Sequence, residues 1–135
     1  MKCLHDDFEF ELPDEWLAEA QMGSFVPLST SYQVDASSVP NRAIFKIPVR
    51  DVQPVRRQLS HGVFNNDSES GLPARDRVVR ILGGFRTGEA MPPVEVIELP
   101  MGNKYRYRLT HGAHRFYWSV AVAFTEVPAV KGFDL

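Results

Sequence analysis

The segment Phe8-Glu9-Phe10-Glu11-Leu12 alternates apolar and acidic residues, so every second side chain shares a face, as in a half-buried strand. Pro13-Asp14-Glu15 follows as a helix start, with proline early and two acids in the first turn. Trp16, Leu17 and Ala20 give that short helix one apolar face, ending near Gly23. Beyond a Ser/Thr-rich stretch, Tyr32-Gln33-Val34-Asp35 reads as a strand or an extended arm. Ala43 to Val49 is a strand that Pro48 ends or confines to a sheet edge, because proline has no N–H to donate to the ladder.

The second half repeats this alternation between extended and helical patterns. Ala74 to Leu82 predicts a helix with Val78, Val79, Ile81 and Leu82 set among Arg75, Arg77 and Arg80, stopping at Gly83-Gly84. Val94 to Leu99 predicts a strand, Gly102-Asn103 a hairpin turn, and Lys104 to Leu109 the returning strand. Phe116, Val120, Ala123 and Phe124 fall on one helical face, and Glu126 to Val130 forms a short final strand. These elements predict a small α/β (α+β) domain, a mixed sheet with packed helices. Residues 60–73, rich in Gly, Asn, Asp and Ser, form a loop long enough to suggest a function or disorder.

Composition narrows the class. A chain of 135 residues with 44% apolar and 24% charged residues is long enough for one domain with a real core. No apolar run reaches the ~18–20 residues of a membrane span. The single cysteine, Cys3, excludes an internal disulfide framework and a cysteine-rich metal cluster. His5-Asp6-Asp7 lacks the basic flank of a secretory leader, so the expectation is a cytoplasmic protein. The net charge of −2 is unevenly distributed: residues 1–40 hold eight acids and one base, residues 41–135 nine acids and fourteen bases. That asymmetry predicts either an acidic segment folded onto a basic body or a basic body that binds anions.

The junction with the most chemistry is Thr110-His111-Gly112-Ala113-His114-Arg115, where a strand passes through glycine into a helix. The first amides of a helix have no internal partner and its dipole favours negative charge there. Gly112 permits close approach, while His114 and Arg115 add donors. From about Ile44 to Val130 the order of elements resembles the ParB/sulfiredoxin superfamily. The resemblance runs through Ile47-Pro48-Val49-Arg50-Asp51-Val52, the helix 76–82, Pro92-Pro93-Val94-Glu95-Val96 and Lys104 to Leu109. It ends with Gly112-Ala113-His114-Arg115 and Glu126-Val127-Pro128-Ala129. It implies a domain at 41–135, preceded by an acidic extension at 1–40, with a nucleotide's phosphates held at the glycine-led helix start. Family members include sulfiredoxins, which use ATP, partition proteins, which bind CTP, a free-serine kinase, and proteins described as nucleases.

The residues that the resemblance assigns to phosphate are Gly112, Ala113, His114 and Arg115, with Arg77 and Arg80 assigned by location on their helix. Two departures limit what carries over. Ala113 stands where sulfiredoxins have their catalytic cysteine, and Cys3 lies outside the matched region, so sulfiredoxin activity is not expected. Partition proteins place an acid and then arginine where this chain has Ala113 and His114, and no helix-turn-helix follows before Leu135.

Glu95 and Asp76 are the nearest candidates for a base or a magnesium ligand, each also readable as structural. His111 and His114, three apart, lack a nearby acid or cysteine at ligand spacing, so no metal centre is expected. Two expectations follow. One is a nucleotide- or phosphate-binding protein, with Mg2+ accompanying ATP or CTP, and phosphotransfer or phosphate hydrolysis as its chemistry. The other is a non-catalytic module for nucleic acid or a protein partner, using the stripe of Lys104, Arg106 and Arg108. Beside these stands a third, a fold relic in which the acidic extension fills the anion site from within the chain.

Overall fold

The chain opens as a two-stranded hairpin. In the computed structural model, which describes residues 1–54 and 74–132, β1 (Lys2–His5) pairs antiparallel with β2 (Phe8–Glu11), from Lys2 opposite Glu11 to His5 opposite Phe8. Asp6 takes a left-handed φ of 56° to close the two-residue turn. Alternation buries Cys3, His5 and Phe10 and leaves Lys2, Leu4 and Glu9 exposed. The hairpin therefore has one core face, and that face packs on the helix of the strand–glycine–helix junction.

The helix α1 (Asp14–Glu19) starts after Pro13 as expected but ends before Gly23. Gln21 adopts a φ of 61°, and the Met22 amide donates to the Leu17 carbonyl at 2.9 Å. This reversal buries Met22 and makes a glycine at 23 unnecessary for the stop. Tyr32 to Asp35 forms the extended arm: it joins residue 91 through a parallel bridge at Val34 and amide bonds on either side.

The main sheet has the order β3-β6-β4-β5, from β3 (Phe45–Pro48), β4 (Val94–Glu98), β5 (Tyr107–His111) and β6 (Glu126–Lys131). The pairs β3/β6 and β4/β5 are antiparallel and β4/β6 is parallel. Pro48 sits at the end of an edge strand, where its missing donor costs least. The returning strand begins at Tyr107 rather than Lys104. The Arg106 amide donates to Asp51 O at 2.9 Å, drawing residues 104–106 onto the neighbouring loop.

The helix α2 (Ala74–Thr87) corrects the expected stop at Gly83-Gly84. Val78, Ile81, Leu82 and Phe85 form one buried stripe, and that stripe carries the helix through both glycines. Gly84 makes no turn and packs closely: a Cβ there would lie 2.0 Å from Met91 Cε, the movable end of that side chain. Gly88, at φ 76°, follows the last helical residue. The helix α3 (Ala113–Ala121) follows Gly112, with Phe116, Tyr117 and Trp118 fully buried, each contributing roughly 2–3 kcal/mol of apolar burial. The whole is a mixed α/β fold of three helices and two sheets among the described residues. The expected loop at 60–73 lies outside them.

One buried histidine gives the fold a pH dependence. His5, only 3% exposed, donates from Nε2 to Val52 O at 2.6 Å, with its ring edge-on to Phe116. Burial lowers its pKa below 6.5, opposed by the Val52 bond. The unfolded chain takes this proton near pH 6.5, while the native protein takes it only at lower pH. Acidification through that window therefore favours unfolding. Stability is expected to fall as the pH drops below 6.5, with a smaller slope in His5→Gln. Urea unfolding at a series of pH values checks this, and equal slopes in the two proteins would reject it.

Candidate anion site

The strand–glycine–helix junction is built against β4. Gly112 takes φ 95° and ψ 29° as the residue before α3. A Cβ there would lie 3.0 Å from Val94 Cγ1 and 3.1 Å from Val94 Cα, so the turn rests directly on the strand below. The two residues expected to act together then diverge. His114 turns into the core, 8% exposed, with its ring edge-on to Trp118 at 6.3 Å. Arg115, one position on, passes over Pro92-Pro93, and its Nη2 donates to Pro93 O at 3.4 Å.

Arg115 enters a cleft of about 240 Å³ that Arg77 and Arg80 also line, with Ile81, Met91 and Pro92 as apolar wall. Arg77 and Arg80 are one turn apart on α2, and Met91 is held in place by the Tyr32–Asp35 arm. Glu89 is the acid among the described lining residues, against three arginines. Arg115 Nε is buried without a hydrogen-bond partner among the described residues. Behind the cleft, Tyr32 donates from its hydroxyl to Pro92 O at 2.5 Å. Burial pushes its pKa up to about 12 despite the adjacent Arg115 guanidinium, so the hydroxyl stays protonated. Three guanidinium groups beside a partly apolar wall can bind an anion with several oxygens, since fork-shaped donors match phosphate geometry.

The other candidates stand apart from the cleft. Asp76 pairs with Arg75 at 3.1 Å on the exposed side of α2. Glu95 lies on β4 with Arg42 Nη1 at 3.4 Å, Thr110 Oγ1 at 3.3 Å and His111 Nε2 at 3.9 Å. Ala113 opens α3 but does not line the cleft. Lys104 pairs with Asp6 at 2.9 Å, Arg106 sits over the Tyr107 ring at 5.5 Å, and Arg108 is exposed on β5. Cys3 is buried on β1, and desolvation raises its thiol pKa, which keeps it protonated.

The acidic extension meets the basic body at particular points, with Asp6 on Lys104 and Glu19 on Arg75. Every described residue lining the cleft comes from the stretch between Arg77 and Arg115, so no acid of residues 1–40 is among them. Sequence reasoning missed Glu89, Met91 and Tyr32. The signal for the first two was the short Glu89-Ala90-Met91-Pro92-Pro93 link between α2 and β4. The chain matches no protein-family model, no curated protein and no solved structure.

Proposed function

We propose that this protein binds a phosphate-bearing small molecule, with Arg77, Arg80 and Arg115 as its phosphate ligands. The observation that supports this reading is their convergence on one cleft from two helices far apart in sequence. The cleft's 240 Å³ falls below the ~300–1,000 Å³ of pockets that enclose whole drug-sized ligands. It suits one or two phosphoryl groups, so the sugar and base of ATP or CTP would lie outside it. The resemblance to the ParB/sulfiredoxin superfamily points to the same corner. Here Arg115 makes the phosphate contact, while Gly112 shapes the turn and His114 anchors the helix.

Among the described residues magnesium would find one carboxylate at the cleft, Glu89, with phosphate oxygens and water completing its shell. Among the described residues, phosphotransfer or hydrolysis would use that same carboxylate or a group from the ligand, because Asp76 and Glu95 are engaged elsewhere.

Calorimetric titration with inorganic phosphate, pyrophosphate, ATP and CTP, with and without Mg2+, tests the reading. Arg115→Ala is expected to weaken binding about 10- to 100-fold, since each lost charged hydrogen bond is worth roughly 1.5–3 kcal/mol. Arg77→Ala and Arg80→Ala should also weaken it. If none of these ligands binds, or if affinity survives Arg115→Ala, the proposal fails. Salt-sensitive DNA binding that persists in Arg115→Ala and disappears on changing Arg106 and Arg108 would point to the nucleic-acid module instead.

A further inference from the structure

We infer that the hollow between residues 21–33 and the C-terminal end of α2 binds a small aromatic carboxylate. It is a cavity of about 540 Å³, within the ~300–1,000 Å³ of small-molecule pockets. It shares no described lining residue with the arginine cleft. Its wall is a row of rings. Tyr32 stacks on Phe85 at 5.4 Å and 25°, Phe124 stands edge-on to Phe85 at 5.3 Å and 87°, and Phe25 edge-on to Phe124 at 6.0 Å and 74°. Tyr32, Phe85 and Phe124 are buried, whereas Phe25, at the end of the row, is half-buried. The row therefore has an open end, and a further ring at the same spacing continues it.

The rim and the charge define the rest of the ligand. Val26, 70% exposed, and Leu28, fully exposed, line the same cavity, so an entering ring covers apolar surface that now faces water. Arg86 is the one charged residue among the described lining residues. Its Nε donates to Ala20 O at 3.1 Å, and its terminal nitrogens make no further bond among the described residues. The hydroxyls of Ser31 and Thr87 are committed to the carbonyls of Tyr32 and Gly83. A single guanidinium with no acid beside it in the lining matches one carboxylate, whereas a phosphate finds three arginines in the other cleft. The loop that closes the cavity is tied down. Phe25 N donates to Met22 O at 3.0 Å, and Thr30 O accepts from the Thr125 and Glu126 amides, both at 3.0 Å. Binding therefore costs little ordering of the wall.

Calorimetric titration of the full chain with 2-naphthoate, and with 2-naphthamide as its uncharged counterpart, tests this. The carboxylate is expected to bind about 10- to 100-fold more tightly than the amide, the difference made by a hydrogen bond between charged groups. Arg86→Gln should bring the two ligands to one affinity, with circular dichroism confirming the fold. Leu28→Ser, at a fully exposed position, should weaken both ligands alike by about 3- to 10-fold through lost apolar contact, and it keeps the test open should Arg86→Gln fail to fold. The inference is overturned if 2-naphthoate does not bind, if the amide binds as well as the carboxylate, or if both variants bind as the wild type does. Binding that Arg115→Ala removes and Arg86→Gln leaves intact would put the carboxylate in the arginine cleft and overturn this inference alone.

Discussion

Phe10→Ala is expected to destabilise the protein by about 3–5 kcal/mol in urea unfolding, the usual cost of removing a buried aromatic ring. Phe10 is 8% exposed and belongs to the hairpin that opens the chain. Its ring meets Tyr117 at 5.2 Å and 71°, and Trp118 at 6.0 Å and 53°. Both of these residues belong to α3, so the truncation empties the seam between the N-terminal segment and the helix that carries Arg115. Total stabilities of single domains are about 5–15 kcal/mol, so one residue of the acidic extension governs a large share. A loss below about 1 kcal/mol would mean that the hairpin folds apart from the body and adds little to it.

The same packing decides how the extension can be studied. Cys3, Phe10, Leu12, Ala20, Met22 and Tyr32 all belong to the hydrophobic core cluster. Deleting residues 1–40 would remove that surface together with the acids. Any change in anion affinity would then mix lost charge with lost structure. Charge-neutral changes at Asp6 and Glu19 separate the two, because those acids pair at exposed positions where ion pairs are worth at most about 1 kcal/mol.

What could be read from sequence followed from periodicity. Phe8 to Glu11 alternates cleanly and forms a strand, and the glycine between Thr110-His111 and Phe116 marks the strand-to-helix passage. β1 escaped notice because its inward residues are Cys3 and His5, neither of which signals a buried face. Gly83-Gly84 misled because glycine is an ordinary helix stop. What Gly84 meets is the end of a methionine side chain seven residues on, visible only once Met91 is placed.

The anion site shows the same division. Arg77, Arg80 and Arg115 stand out as residues, but their meeting depends on how α2 packs on α3. The resemblance assigns His114 to phosphate together with Arg115, as members of the Gly112–Arg115 tetrad at the helix start. On a helix, adjacent positions point about 100° apart, and here one faces Trp118 while the other faces the cleft.

Gly112→Ala separates two roles that the turn combines, and its expected cost is about 2–4 kcal/mol. The first part is backbone: at φ 95° an alanine pays roughly 1–2 kcal/mol for the left-handed region. The second is packing, because the new Cβ would press on Val94 Cα at 3.1 Å, a backbone atom of a strand in the sheet interior. Gly102 provides the control. It has nearly the same φ, 94°, with nothing within 4 Å of its Cβ position, so Gly102→Ala should cost only the backbone part. Urea unfolding of both variants gives the packing cost by difference, and equal losses would show that β4 yields to the intruding methyl. The methyl would also stand 3.2 Å from Arg115 Nη2, so a folded Gly112→Ala protein should bind pyrophosphate more weakly as well. Stability lost with affinity unchanged would mean that the glycine serves the turn alone and that Arg115 finds its place without it.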